Sequence, residues 1–294
     1  MASVELRDAS CANGPTIDVG VRRSAASASV SALGALLVRD LTVLRKHLGE
    51  FVLRTLVQPF LLVFVFLFVF PEIGQSVGGG SGAASFASVL VPGVVGISVM
   101  FQGVQTVALT LAQEFGFTRE IEDRVQAPCP VWLVAVAKVL SGVLQGVLAA
   151  VIVFPIAAVV HASGVHPSFN VKWAVALTLI PLTCIAFSAL GLLLGCTFEP
   201  RNIGLMFGFI VLPITFLGGT YYQWTRLASV KVGGFKWLQT LVLVNPLIYV
   251  NEGMRSAFTS VPHMHLYVIY PVLIGFTVLF TGLGIRAFNK RVRS

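Results

Sequence analysis

Long apolar runs separated by short polar intervals dominate this chain, and their lengths predict its elements. The runs fall at about 51–71, 86–112, 131–160, 173–198, 202–219 and 266–286. A helix that crosses the hydrocarbon core of a bilayer needs about 20 apolar residues, so the pattern predicts six spans. Gln58-Pro59, Pro92, Gln102, Gln105, Pro155, Pro181, Pro213 and Pro271 interrupt them. Membrane helices tolerate such residues where neighbours satisfy the freed backbone groups. Ahead of the first run, Leu33, Leu36, Leu37, Leu41, Leu44 and Leu48 recur at three- and four-residue spacing, with Arg39, Asp40, Arg45 and Lys46 largely on the other side. This pattern predicts an amphipathic helix over 30–50, too charged to span and suited to the membrane interface. The fifth run is short. The semi-polar stretch 218–258 that follows it holds an apolar patch over 237–250 broken at Asn245-Pro246. A re-entrant or interfacial pair of helices fits that patch better than a seventh span.

Composition agrees with membrane residence. The 294 residues are 56% hydrophobic and 11% charged, where a soluble domain carries about 25% charge. The net charge of +8 is read as topology. Six spans put both termini on one side, with Arg7, Arg22, Arg23, Arg39, Arg45, Lys46, Arg54, Arg119, Arg124, Arg201, Arg286, Lys290, Arg291 and Arg293. The opposite side holds Lys172, Arg226, Lys231, Lys236 and Arg255, and its glycine-rich loop after Pro71 has no lysine or arginine. The positive-inside rule therefore places both termini in the cytoplasm and 218–258 outside. The fold class expected is all-α: a polytopic membrane protein with six transmembrane helices, an N-terminal amphipathic interfacial helix and an outer re-entrant helical segment. Residues 1–28 are Ser/Ala-rich with scattered charge and show no basic-then-apolar leader, which suggests a disordered cytoplasmic tail. Cys11, Cys129, Cys184 and Cys196 lack the spacing of a disulfide framework or a zinc site. Gly142/Gly146, Gly191/Gly195 and Gly204/Gly208 each have the GxxxG spacing that lets helix backbones approach.

The densest mixed charge lies in 113–130, QEFGFTREIEDRVQAPCP, between the second and third runs. None of the six runs carries an Asp or Glu away from its ends. Lys138 is the one charge inside a run, near enough to the cytoplasmic end to snorkel. That disfavours an ion-coupled carrier. There is no phosphate loop, H-E-x-x-H or G-x-S-x-G motif, and His161, His166, His263 and His265 read as solvated residues near span ends. No enzyme chemistry is expected, and uphill transport would need energy from a partner. An ATP-independent carrier or channel, and a non-transporting scaffold, remain alternatives.

Two blocks resemble the transmembrane subunit, or permease, of type-2 ABC exporters. The first runs from Glu114 to Pro128 and on to Lys138, with an acidic residue closing the second span, a glycine, a short helix and a proline. The second joins Phe216-Leu-Gly-Gly-Thr-Tyr-Tyr222 to Asn245-Pro-Leu-Ile-Tyr-Val-Asn-Glu-Gly-Met-Arg255. The likeness covers about 30–290 and departs at Gln223-Trp224, where the family often has a proline. The resemblance implies a transmembrane domain over 29–294 and a coupling helix over 114–128 seated in a separate ATPase. Its coupling residues would be Glu114, Thr118, Arg119, Glu120, Glu122, Asp123 and Arg124, with Thr118 able to cap the helix and Pro128 to stop it. Phe101, Gln102, Gln105, Phe207, Phe216, Tyr221 and Tyr222 become candidates for the solute path, and Gly218, Gly219, Asn245, Pro246, Glu252 and Arg255 for the structure of the outer segment. The implied partners are a nucleotide-binding ATPase, a second permease subunit and the lipid bilayer of the bacterial inner membrane, with no nucleic acid. No cofactor is expected on this chain, ATP and magnesium belonging to the ATPase. The implied cargo is a hydrophobic drug-like, lipid or glycolipid/polysaccharide solute.

Overall fold

The computed structural model describes residues 25–73, 82–116, 130–159, 169–229 and 236–293. Among them, six helices are long and apolar enough to cross a membrane: Leu48–Glu72, Phe86–Gly116, Val131–Ala157, Trp173–Thr197, Pro200–Leu217 and Leu266–Val292. These are spans one to six below. The N-terminal helix is Ala25–Lys46, so it starts before residue 30 and includes residues the sequence pattern assigned to the tail. It ends in a turn at His47, and the first span begins directly at Leu48. The boundary between interfacial helix and span is therefore His47, not residue 50.

The second span is the axis of the bundle. Its most apolar stretch is 94% buried, against 22% for the first span and 17% each for the fifth and sixth. Small residues permit this crowding. Gly191 and Gly195 of the fourth span lie against the backbone of Val104 and Ala108 of the second, and Gly142 and Gly146 of the third lie against Ser188 and Cys184 of the fourth. Two of the three GxxxG spacings are thus close helix crossings. The third, Gly204/Gly208, meets no described atom within 4 Å. Two spans widen locally. Residues Phe64–Val69 of the first and Phe207–Val211 of the fifth form π-helical turns. The second of these precedes Pro213, which has no N–H to return to the carbonyl one turn back.

One end of the bundle, here the base, joins the N-terminal helix to the third span and gathers the ends of the second, fourth and sixth. Phe115 lies 6.1 Å from Phe288, and the Arg291 guanidinium sits 4.7 Å over the Phe115 ring. Arg291 also donates to the carbonyls of Gly195, Cys196 and Phe198 at 3.2, 2.9 and 2.6 Å. These last carbonyls of the fourth span have no partner within their own helix, so the arginine caps it.

The opposite end, the crown, carries the segment that follows the fifth span. Short helices at Trp224–Ser229 and Trp237–Leu241 lead to Asn245, whose side-chain oxygen accepts from the Leu247 N–H at 2.9 Å and caps the helix Pro246–Phe258. Asn as cap with Pro in the first turn is a strong helix start. All 13 residues of this helix are buried, and at about 20 Å it is too short to cross a bilayer. It lies within the stretch where the sequence pattern predicts helix without a seventh span. Its polar side holds the crown together. Arg255 pairs with Glu252 at 2.9 Å with both side chains fully buried, and it donates to the carbonyls of Gly219 and Thr220. Glu252 also accepts from the backbone N–H groups of Trp224 and Met264, each at 2.9 Å. A proline at 224 would forfeit the first of these. Asn251 donates to the Gly218 carbonyl and the Thr220 hydroxyl at 2.8 and 2.9 Å. Gly219 turns at φ +70°, a conformation that favours glycine. Burial pulls the Arg255 pKa down from its ordinary value, and the Glu252 carboxylate opposes that pull.

Two stability outcomes follow from this packing. Gly191→Ala would set a methyl 2.8 Å from the Val104 carbonyl and should cost about 1–3 kcal/mol, whereas Gly282→Ala, in open space, should stay within about 0.5 kcal/mol of wild type. Glu252→Ala strands Arg255 and should cost about 3–5 kcal/mol, with Glu252→Gln less severe because its carbonyl still accepts. Thermal unfolding in detergent checks both.

Candidate functional site

The base holds a buried ion pair. Lys138 Nζ lies 2.5 Å from Glu114 Oε1, and the two side chains are 6% and 5% exposed. Glu114 sits in the last turn of the second span and Lys138 in the second turn of the third, so the pair joins the two helix ends that flank 117–129. The structure corrects two expectations. Glu114 faces Lys138 inside the protein and does not lie on a water-exposed coupling helix, because the second span continues through Gly116. Lys138 does not snorkel to the interface but is neutralised where it stands. Charges buried at this depth need a partner, which is why both occur together. Thr118, Arg119, Glu120, Glu122, Asp123 and Arg124 lie outside the described residues.

Beside the pair opens a cavity of about 410 Å³ between the N-terminal helix and spans one to three. Its inner wall is a polar stripe. On the second span, Gln102, Thr106, Thr110 and Glu114 recur every fourth residue; on the third, Lys138, Ser141 and Gln145 follow the same helical face. Gln102 accepts from Thr55 at 3.2 Å and donates to Thr106 at 2.9 Å and to Gln145 at 3.2 Å. Thr106 also donates to Gln145 at 3.0 Å, and Thr110 to the Thr106 carbonyl at 2.5 Å. Asp40 of the N-terminal helix accepts from Ser141 at 2.6 Å and ties that helix to the third span. Arg54 donates to Gln105 at 3.0 Å, and together with Thr55 and Gln102 these residues line a second, narrower cavity bounded by Gln58, Ser98 and Phe101. The cleft can bind a polar group or part of one.

The proposed path residues divide into two groups. Phe101, Gln102 and Gln105 adjoin these cavities. The aromatics of the fifth span and crown sit apart from them. Phe207 packs into the core, Tyr221 lies 5.6 Å from Phe66, and the Tyr222 hydroxyl reaches the Phe216 carbonyl at 3.4 Å. Phe216 is 62% exposed on a fifth-span face it shares with Leu205, Phe209 and Leu212. The sequence reading passed over Asp40, Arg54, Thr55, Thr106, Thr110, Ser141 and Gln145 as site residues. The four-residue recurrence of polar side chains on the second and third spans was the signal that could have found most of them.

The profile of the family described as ABC-2 type transporter matches residues 31–259. The Escherichia coli K12 protein called "Inner membrane transport permease YadH" is 32% identical over 234 residues, covering 77% of this chain and 84% of the relative. The proteins of that name in E. coli O157:H7 and Shigella flexneri match equally.

A double-mutant cycle on Glu114→Gln and Lys138→Met should show that the pair acts as a unit. Each single change should lower the unfolding midpoint more than the double change does, with a coupling of about 0.5–3 kcal/mol. Strict additivity would mean that the two side chains do not engage each other.

Proposed function

The chain belongs to the ABC-2 type transporter family, and on that premise we propose that it is the permease of an ATP-driven exporter in the bacterial inner membrane. Two copies, or this chain and a related one, assemble with two copies of a separate ATPase that holds the ATP and magnesium. The chain itself binds no nucleotide and catalyses no reaction. Both termini and 117–129 face the cytoplasm, on the charge asymmetry described above.

The observation that carries the reading is the Glu114–Lys138 pair at the roots of 117–129. A segment that takes force from a motor must pass it to the spans, and this pair locks the ends of the second and third spans to each other. The second span is the buried axis, so its displacement moves every helix packed on it. In this mechanism Thr118, Arg119, Glu120, Glu122, Asp123 and Arg124 are the coupling residues, and the charged ones among them contact the ATPase. Glu114 acts one step behind them, as a positioning residue. The exposed fifth-span face of Leu205, Gly208, Phe209, Leu212 and Phe216 supports a permease–permease contact there. Solute passes along that contact towards the crown. The cargo we propose is a hydrophobic drug-like, lipid or glycolipid/polysaccharide solute.

The reading predicts that affinity-tagged chain brings an ATPase through purification from native membranes. Reversing charge with Glu120→Lys and Asp123→Lys together should remove that ATPase while the chain still inserts and unfolds at the wild-type midpoint. Solute flux through liposomes holding this chain alone would instead favour an ATP-independent carrier.

A further inference from the structure

We propose that the cleft between the N-terminal helix and spans one to three is a binding site for a zwitterionic phospholipid headgroup of the phosphoethanolamine kind. The proposal rests on the charge and shape of the cavity and does not depend on the transport reading.

Charge balance sets the class of ligand. Three permanent cations line the cavity, Arg39, Arg54 and Lys138, against three carboxylates, Asp40, Glu50 and Glu114. Lys138 and Glu114 neutralise each other at the inner wall. Arg39, Asp40, Glu50 and Arg54 form a rim of mixed sign, with His47 beside Glu50 at 3.6 Å. A ligand of one sign would meet as much repulsion as attraction at such a rim. A ligand that carries an anion and a cation a few bonds apart can set each against its opposite. Between the charges, the wall offers the amides of Gln102 and Gln145 and the hydroxyls of Thr106 and Thr110, already held in place by one another. This suits the ester oxygens and ammonium of a headgroup. The volume, about 410 Å³, falls in the range of small-molecule sites.

The apolar half of the ligand also has a place. Glu50 stands on the rim, and from it Leu53, Val57 and Leu61 continue along one face of the first span, 67%, 47% and 53% exposed. Residues at these spacings share a helix face. An acyl chain leaving a headgroup held at Glu50 and Arg54 would run along that stripe within the hydrocarbon. The rim and the stripe are contiguous on the first span, so an amphiphile can set its headgroup in the cavity and keep its acyl chain on the lipid-facing surface.

Native mass spectrometry of the full chain in detergent, without any ATPase, tests this with three probes: dihexanoyl phosphatidylethanolamine, dihexanoyl phosphatidylglycerol of the same chain length, and phosphoethanolamine, which has no acyl chain. One phosphatidylethanolamine should be retained per chain, with phosphatidylglycerol and the free headgroup each at least about tenfold weaker. Glu50→Gln and Arg54→Gln, both at exposed rim positions, should each reduce retention about fivefold with an unchanged unfolding midpoint. Gln145→Leu, in the inner wall, should abolish it. Equal retention of the two lipids, wild-type retention by the rim variants, or no saturable binding would overturn the proposal. Because the ATPase is absent, none of these results bears on whether the chain couples to one.

Discussion

A polar group within the apolar layer of a membrane must find its partner inside the protein, because neither lipid nor water will supply one. The rest of this structure follows from where those partners are. The second span is the most buried helix and carries polar contacts at both ends. Towards the base, Gln102, Thr106 and Glu114 are answered by Thr55, Gln145 and Lys138. Towards the crown, Gly93 and Gly96 make room for Thr220 and Asn251, which join the network of Glu252 and Arg255. Apolar packing holds the helices side by side but is poor at fixing their register, since many apolar pairings are nearly equal in energy. The polar contacts select one register and penalise every other.

The two ends differ in a way that suits a transporter. The crown is a closed network around a short buried helix, with its ion pair fully dehydrated. The base is open, and its ion pair borders a polar cavity under the N-terminal helix, which Asp40 ties to Ser141. The most buried span, the second, joins these two ends. The outer faces of the first, fifth and sixth spans are mostly uncovered, as they must be in a protein that meets lipid and, on our reading, a second permease.

The six spans were legible because apolar length is a strong signal, and the short buried helix between the fifth and sixth because Asn245-Pro246 breaks an otherwise apolar patch. Glu252 and Arg255 lie three residues apart on one helix, so their pairing is the kind that local spacing expresses. Glu114 and Lys138 are 24 positions apart on different helices, and no local period connects them. Each was therefore read alone, one as a docking residue and the other as a snorkelling lysine. The cleft escaped for the same reason. Its residues come from four helices, and only the recurrence of Gln102, Thr106, Thr110 and Glu114 within one span hinted at a polar face. The start of the N-terminal helix was placed late because Ala25 and its neighbours are small, without the leucine period that marked the rest.

The central claim is that force from an ATPase enters through 117–129 and reaches the spans at the Glu114–Lys138 pair. Photo-crosslinking from a benzoylphenylalanine at position 120, in native membranes, tests it most directly. The account predicts a crosslink to a nucleotide-hydrolysing subunit on the cytoplasmic face, whose yield changes when ATP hydrolysis is trapped with vanadate. Crosslinks confined to lipid or to a periplasmic protein would contradict it.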